Sequence, residues 1–354
     1  MSLIFLKFAS DKFEQHRAKL IAEGKEKYIE MPEFYNKDNV FFLEESSRWS
    51  YLIKKSKQND IALLIDTALH TIEKNNKALK GALPDNYFSR LGLDVTKLAS
   101  LLDTINDIDT TKDPKQDVVG KVYEYFLSKF ALAEGKGKGE FYTPKSIVNL
   151  IAEMIEPYKG VIYDPACGSG GMFVQSLQFV QRRKALGQTQ QDAHLFVYGQ
   201  EKTLDTVKLA KMNLFVNGLK GEIRQANTYA EDPFNGLAKF DYIMANPPFN
   251  VDDVALATVE KDQRFNAYGL PRNKTKAQKS DDNGKSETVP NANYLWINLF
   301  ASSLKNTEQA KLCNSGRAAL VMPNSASDAR NSEADIRQNL IDNNLIYGMV
   351  TLPS

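Results

Sequence analysis

Short apolar runs alternate with helical stretches from Val161 onward, and this rhythm constrains the fold more than any other feature of the chain. Strands and helices in regular succession predict an α/β fold whose parallel sheet is covered by helices on both faces. Ligands of such sheets bind beyond the carboxyl ends of the strands, so we expect the functional residues there. The expected strands are Val161–Tyr163, Leu195–Tyr198, Tyr242–Ala245, Ala318–Val321 and Ile346–Val350, and the expected helices are Gly171–Val180, Leu204–Val216 and Tyr294–Leu304.

The N-terminal part of the chain has a different pattern. Apolar residues recur at helical spacing in 61–69 and again in 95–105, while Gly and Pro are sparse and no strand-like alternation persists. The polar stretch 107–116 then interrupts the pattern, which is typical of a domain boundary. We therefore expect an all-α domain over residues 1–115 and the α/β domain over residues 116–354.

The charge balance and the scarce Cys and His residues exclude several classes of protein. Lys and Arg total 45 against 44 Asp and Glu, and a net charge of +1 excludes a strongly basic chromatin-type binder but leaves room for a local basic cleft. Two cysteines and three scattered histidines offer neither a disulfide framework nor a zinc site, so we expect no metal. No apolar run is long enough to span a membrane or to form a signal peptide, so we expect a cytoplasmic protein without membrane contact.

A glycine-rich turn, Asp164–Gly171 (DPACGSGG), follows the first expected strand and precedes a helix. Glycines there let the backbone approach a ligand closely and adopt positive φ angles. Dinucleotide sites and S-adenosylmethionine sites both use such turns, and a tight turn without a ligand is a third interpretation. Because Asp164 would repel a pyrophosphate and would suit a cationic methionine group, the turn favours S-adenosylmethionine.

Glu201 lies at the end of the next expected strand, in the sequence Tyr198–Glu201. A carboxylate at this position can accept hydrogen bonds from both hydroxyls of a ribose. Taken alone, Glu201 is better explained as a solvated residue at a helix N-terminus. The glycine-rich turn upstream favours the ribose interpretation.

The tetrapeptide Asn246–Phe249 (NPPF) follows the expected strand Tyr242–Ala245. Two prolines at a strand end cannot continue the ladder, so they stiffen the backbone and leave carbonyl groups without a partner. Asn246 Oδ1 and the Pro247 carbonyl can both accept hydrogen bonds from an exocyclic amino group, and Phe249 can stack on the ring that carries it. A proline-rich turn without a ligand is the alternative when the motif is taken alone.

With these motifs in this order, the sequence resembles the N-6 adenine DNA methyltransferases, and more closely the modification (M) subunits of type I restriction-modification systems. The resemblance covers nearly the whole chain and implies a Rossmann-like, S-adenosylmethionine-dependent methyltransferase domain preceded by an all-α domain. It implies an adenine-specific DNA methyltransferase that acts on N-6 of a flipped base. Further matching segments are 6–13, 139–144, 268–269, 291–296 and 316–323.

The resemblance also implies the roles of individual residues. Asn227 follows a further strand, at a place where related enzymes often bind the adenine of the cofactor through an acid. The implied catalytic residues are Asn246, Pro247, Pro248 and Phe249. The implied contacts of S-adenosylmethionine are Glu140, Phe141, Tyr142, Thr143, Pro144, Lys145, Asp164, Gly168, Ser169, Gly170, Gly171, Glu201 and Asn227.

The sequence departs from the family pattern in two places. The tract Lys274–Thr288 resembles an insertion between family segments, and the chain stops at Ser354 where family members continue, so we expect a truncated C-terminal tail. The loop Asp252–Pro290 is short for a module that reads DNA sequence, which favours a separate specificity (S) subunit. The implied partners are double-stranded DNA, the S subunit, a second copy of the M subunit and the restriction (R) subunit.

Three other functions remain open from the sequence. A self-contained adenine DNA methyltransferase would need no specificity subunit. An RNA or protein-glutamine methyltransferase could use the same site, since an NPP segment with an aromatic residue also serves those amides. A cofactor-free assembly subunit is disfavoured because Asp164, Glu201 and Asn246 are all intact.

Overall fold

The computed structural model describes residues 1–38, 40–108, 125, 143–188, 194–272, 287–305 and 316–352. The chain divides into two compact units. The first holds the described residues up to 125 together with Leu204–Leu219, and the second holds those of 143–203 and 220–352. Each unit is described by itself.

Helices and strands follow one another in an order that separates an all-helical part from a mixed part. The helices are α1 (Ser2–Ala22), α2 (Glu33–Asn36), α3 (Trp49–Lys54), α4 (Ile61–Asn75), α5 (Tyr87–Leu91), α6 (Val95–Asn106), α7 (Lys145–Ile155), α8 (Gly171–Ala185), α9 (Leu204–Val216), α10 (Leu256–Val259), α11 (Gln263–Asn266), α12 (Asn293–Ser303) and α13 (Ser332–Asp342). The strands are β1 (Gly160–Asp164), β2 (Leu195–Glu201), β3 (Lys220–Gln225), β4 (Tyr242–Ala245) and β5 (Arg317–Leu320).

The regular secondary structure described in the first unit consists of helices, as its apolar spacing predicts. In α4 the side chains of Ile61, Ile65 and Leu69 are fully buried, because they recur on one face of the helix. Helix α6 begins behind Asp94, whose carboxylate accepts a hydrogen bond from Lys97 N at 3.1 Å and so caps the helix.

Helix α9 belongs to the first unit although it lies between β2 and β3 in the sequence. Met212 and Val216 are buried in the same apolar core as the N-terminal helices. The ring of Phe215 lies 5.3 Å from that of Phe41 in an edge-on arrangement. The core of this unit is therefore built from two separated stretches of the chain.

The second unit contains a parallel sheet with the strand order β3-β2-β1-β4-β5 in the part of the chain that the structure describes. Successive residues of a strand point to opposite faces, and β4 shows that both faces are covered. Ile243 lies in one apolar cluster with Leu295 and Leu299 of α12. Its neighbour Met244 accepts a hydrogen bond at Sδ from the hydroxyl of Ser176, on α8, at 3.1 Å. Burial on both faces explains why these strands read as short apolar runs.

The strand order reverses beside β1, and this reversal positions the site. The chain passes from β1 to β2 on one side, whereas β4 pairs with β1 on the other, with Ile162 opposite Tyr242. The crossovers on the two sides therefore leave a crevice at the carboxyl ends of β1 and β4, which is where such sheets bind ligands. The expected α/β fold behind a helical N-terminal part is confirmed.

The expected strand Ile346–Val350 is wrong. The segment has no strand pairing, and its apolar side chains are at least 40% exposed. Apolar residues of this kind form a strand where one face is buried, which the exposure of this segment excludes. As for membrane contact, none of the described helices combines the length and the apolar character that a membrane-crossing helix needs.

Candidate active site

The glycine-rich turn after β1 is held in place by backbone hydrogen bonds. Cys167 N donates to the carbonyl of Gln200, on β2, at 2.9 Å, and Gly170 N donates to the carbonyl of Cys167 at 2.8 Å. Gly168 and Gly170 have φ angles of +52° and +79°, a region that side chains disfavour. Helix α8 begins directly behind, at Gly171, so its N-terminal N–H groups and their partial positive charge lie at the turn.

Asp164 ends β1 as a buried carboxyl group. Only 1% of the residue is exposed, and one oxygen accepts a hydrogen bond from Ala166 N at 2.9 Å. Burial raises the pKa of this carboxyl to about 8, and the negative charge of Glu201 contributes to the increase. Among the described residues no cation pairs with Asp164. A ligand with a positive charge would therefore compensate this carboxylate.

Ser169 and Gly171 differ in their surroundings. Ser169 is buried within the turn, whereas Gly171 is exposed. A Cβ atom added at Gly171 would meet no atom within 4 Å. The open space beside the start of α8 leaves room for a ligand against the backbone of the turn.

Gly199 of β2 supports the glycine-rich turn, although the sequence motifs do not point to it. A Cβ atom there would lie 2.6 Å from Ile223 Cδ1 and 2.8 Å from Cys167 Sγ. The glycine therefore allows the turn to pack directly on β2. A glycine inside an apolar strand is the available sequence signal, because it marks a close approach of another segment.

Glu201 ends β2 and is half-buried. One of its carboxylate oxygens, Oε1, accepts a hydrogen bond from Thr203 N at 2.9 Å, which fixes the side chain at the strand end. Its backbone carbonyl accepts a hydrogen bond from Ala226 N at 3.0 Å and so brings the end of β3 alongside. The carboxylate thus lies at the edge of the sheet that also carries Asp164.

Asn227 follows β3 at this same edge. Its side-chain Oδ1 accepts a hydrogen bond from Tyr229 N at 3.2 Å, while its own N–H donates to Glu231 Oε1 at 2.8 Å. These bonds shape the turn after β3. The predicted contact of Asn227 with a cofactor adenine would therefore use its Nδ2 or the remaining acceptor capacity of Oδ1.

Three polar residues behind the turn were also missed. Thr228 donates its hydroxyl hydrogen to the carbonyl of Pro165 at 2.5 Å, and Tyr163 donates to Gln200 Oε1. Burial raises the pKa of the Tyr163 hydroxyl, so this group stays neutral and able to donate. Together these bonds tie β1, β2 and the segment after β3 to one another. Nothing in the local sequence signals them, because the partners lie far apart along the chain.

The NPPF segment begins where β4 ends. The last carbonyl of β4, that of Ala245, accepts a hydrogen bond from Val321 N at 3.1 Å, and Pro247 is buried directly beyond it. Asn246 Nδ2 donates to Thr143 Oγ1 at 3.3 Å, which orients the amide. Pro248 is half-buried and Phe249 is 40% exposed, so its ring is accessible to stacking.

The predicted cofactor element before α7 is described only in part. Thr143 contacts Asn246, as above, while Pro144 and Lys145 lie exposed at the start of α7. Glu140, Phe141 and Tyr142 lie outside the described residues, as do residues 274–286 of the predicted insertion. Within the described ranges, no three His, Cys, Asp or Glu residues come together as a metal site.

Comparison with known proteins places the chain in a family. The model of the N-6 DNA methylase family matches residues 114–354. The chain belongs to the N-6 DNA methylase family. A second model, of the HsdM N-terminal domain, matches residues 1–105. The Asp164 turn, Glu201 and the NPPF segment all lie in the part that matches the methylase model.

Relatives of this methylase chain carry names from one class of enzyme. The methylase subunit of the type I restriction enzyme MjaIX from Methanocaldococcus jannaschii is 34% identical, over all of this chain and 62% of that protein. The methylase subunit of the type I restriction enzyme HindI from Haemophilus influenzae is 36% identical, over 84% of this chain and 62% of that protein. The chain thus spans less than two thirds of the length of these relatives.

Solved structures of methylases share the fold. The methyltransferase subunit of a type I restriction-modification system from Streptococcus thermophilus superposes with a TM-score of 0.72 at 20% identity, over 96% of this chain and 72% of that one. A modification subunit of a putative type I restriction enzyme from Vibrio vulnificus gives a TM-score of 0.62 at 21% identity, over 96% and 68% of the two chains.

Proposed function

We propose that this protein is the modification subunit of a type I restriction-modification complex, an adenine-specific DNA methyltransferase that uses S-adenosylmethionine. One observation carries the proposal. Three polar groups that suit the cofactor and the target adenine lie at the carboxyl ends of the adjacent strands β2, β1 and β4. They are the Glu201 carboxylate, the buried Asp164 carboxyl and the Asn246 amide. Names of the relatives and the family membership support the same function.

The residues at this edge fit S-adenosylmethionine. Asp164 lacks a cation among the described residues, and the methionine end of this cofactor carries positive charge. Glu201 would bind the ribose hydroxyls and Asn227 the adenine. The turn Gly168–Gly171 would lie against the methionine group with its backbone. We assign Thr143, Pro144 and Lys145, with Glu140, Phe141 and Tyr142 before them, to the same cofactor site.

NPPF would bind the target adenine after the base has left the DNA helix. Asn246 Oδ1 and the Pro247 carbonyl would accept hydrogen bonds from the N-6 amino group. Since the lone pair of that nitrogen is delocalised into the ring, two acceptors that hold its hydrogens favour a lone pair directed out of the ring plane. Pro248 stiffens the segment, and Phe249 would stack on the base.

When bound, S-adenosylmethionine supplies an electrophilic methyl group. The protein contributes position and electrostatics, which are the main sources of rate in such a transfer.

The proposed partners follow from the class of the relatives. We assign residues 1–115 to contacts with DNA and other subunits and residues 116–354 to methyl transfer. The complex would contain double-stranded DNA, a specificity (S) subunit, a second copy of this M subunit and the restriction (R) subunit. It would work in the cytoplasm, where a restriction-modification system meets DNA.

Two measurements test the proposed function. The isolated protein should bind S-adenosylmethionine in a calorimetric titration, and tight binding of NAD in its place would contradict the cofactor assignment. The protein co-purified from its host with an S subunit should methylate adenines at one DNA sequence, as methylation mapping would reveal. Methyl transfer to RNA or to glutamine, with none to DNA, would refute the substrate.

A further inference from the structure

Asn293, the first residue of α12, makes a reciprocal pair of hydrogen bonds with Asn250. Its side-chain Oδ1 accepts a hydrogen bond from Asn250 N at 3.0 Å, and its Nδ2 donates to Asn250 Oδ1 at 3.0 Å. Asn293 is only 1% exposed. Its own backbone N–H donates to Asn291 Oδ1 at 2.7 Å, which anchors the first turn of α12. Asn293 thus joins two segments that are 43 residues apart in the chain.

Asn250 is the residue that directly follows NPPF, and its backbone has a φ of +56°. Asn tolerates this left-handed region better than most residues, because its short amide can form local hydrogen bonds. Here the Asn250 amide bonds to Asn293 instead, so the positive φ of Asn250 is stabilised by a residue distant in the sequence. A second link follows at once, because Ala292 N donates to the carbonyl of Val251 at 2.8 Å. The chain leaving NPPF is therefore fixed at two successive residues.

Phe249 lies between two fixed stretches of backbone. Its side chain is 40% exposed, so packing alone does not fix the ring. On its N-terminal side the backbone is stiffened by Pro247 and Pro248 and by the end of β4. On its C-terminal side the backbone is held at Asn250 by the two bonds to Asn293.

We propose that Asn293 is a positioning residue of the target-base site, which holds Asn250 and thereby the Phe249 ring in the geometry that receives a flipped adenine. The inference rests on the proposed function. Asn293 would act through Phe249 and not on the cofactor. Its loss should therefore slow methyl transfer and leave cofactor binding intact, whereas a general loss of structure would impair both.

Helix α12 also supplies a matched control. Asn298 is fully buried, and its Nδ2 donates to the carbonyls of Phe265 at 2.8 Å and Gly269 at 2.7 Å. Like Asn293, it is an asparagine on α12 with two side-chain hydrogen bonds. Its bonds, however, hold the segment around α11 in place and not the NPPF segment. Asn298→Ala therefore removes comparable structure without touching the base site.

The experiment compares Asn293→Ala and Asn298→Ala in the assembled M and S complex on two duplexes of the mapped site. The duplex with adenine at the target gives the methyl-transfer rate, and a duplex with 2-aminopurine there, which lacks the N-6 amino group, reports the position of the flipped base. For Asn293→Ala we expect a single-turnover methyl-transfer rate at least about tenfold below wild type, an altered 2-aminopurine signal and a cofactor affinity within about twofold of wild type. For Asn298→Ala we expect a lowered melting temperature and a transfer rate within about threefold of wild type.

Two further variants keep the test decisive if Asn293→Ala folds poorly. Asn250→Gly removes the side-chain half of the pair, while glycine accepts the positive φ, so it should fold and still lose methyl transfer. Asn293→Asp keeps the acceptor for Asn250 N and should recover part of the rate. A wild-type transfer rate in both Asn293→Ala and Asn250→Gly, or an equal loss of rate in Asn298→Ala, would overturn the inference. A wild-type complex that methylates no adenine would instead refute the proposed function.

Discussion

At the scale of single residues, the ionisation of Asp164 links the structure to pH. Its carboxyl has a pKa of about 8 in the folded protein against an ordinary value of 3.8, chiefly because burial disfavours the charged form. Ionisation of a group whose pKa is raised by folding opposes the folded state. The contribution of Asp164 to stability is therefore complete below about pH 4 and is lost as the pH rises through about 8.

Asp164→Asn should stabilise the cofactor-free protein at high pH only. The neutral amide has no proton to lose, so at pH 9 its melting temperature should exceed that of wild type, and the gain should vanish at about pH 4. Thermal melts of both proteins across this range measure the difference. Asp241→Asn is the control, because Asp241 pairs with Lys305 at 2.7 Å and accepts from Val161 N, so its loss should lower the melting temperature. A high-pH gain of equal size in both variants would contradict the explanation.

Binding of S-adenosylmethionine should release a proton from Asp164. A cationic ligand favours the ionised carboxylate, so between about pH 5.5 and 7 the affinity should rise by up to about tenfold per pH unit. The α-amino group of the cofactor stays protonated in this range. Calorimetry in two buffers of different ionisation enthalpy counts the protons released. Asp164→Asn should bind more weakly and without proton release, and pH-independent binding by wild type would refute the role of the buried carboxyl.

Local motifs point to part of the proposed site, and tertiary contacts supply the rest. Asp164 and Gly168 could be predicted because a strand, a tight turn and a helix follow one another within a few residues. The bond between Asn246 and Thr143 joins residues 103 apart in the chain, and no local pattern encodes such a pairing. The same holds for the bond between Tyr163 and Gln200.

At the scale of secondary structure, burial decides which strands a sequence reveals. Strands β1 and β4 lie inside the sheet and bury both faces, so their apolar runs predicted them. Strand β3 lies at the edge and is mostly exposed, and its polar sequence hides it from a hydrophobicity pattern. The segment 346–350 is the converse, an apolar run that has no strand partner among the described residues.

The packing of the glycine-rich turn on β2 predicts different effects for two glycines. Gly199→Ala would place a Cβ 2.6 Å from Ile223 Cδ1, so it should lower the free energy of unfolding by about 1–3 kcal/mol. Gly171→Ala has open space and should change stability by no more than about 1 kcal/mol, yet it should weaken S-adenosylmethionine binding about tenfold by filling that space. Denaturant melts and calorimetry on both variants separate the effects. Unchanged cofactor affinity in Gly171→Ala would remove this residue from the proposed site.

At the scale of the whole molecule, the charge balance limits what the chain can do with DNA. A net charge of +1 supplies little long-range attraction for phosphates, so any DNA contact must come from local basic clusters. The relatives extend well beyond the length that this chain spans. In the proposed function, the S subunit reads the DNA sequence.

Sequence-specific DNA binding should appear only when the S subunit is added. We expect the protein alone to bind duplex DNA weakly and without sequence preference, and to lose most of that binding between about 50 and 200 mM salt, because counterion release drives phosphate contacts. The M and S complex should bind its mapped site specifically, and each substituted base pair should make the binding free energy about 1–3 kcal/mol less favourable. Gel-shift titrations of the chain with and without the S subunit, on matched and mismatched duplexes at both salt concentrations, measure these differences. Salt-resistant, sequence-specific binding by the chain alone would instead identify a self-contained methyltransferase.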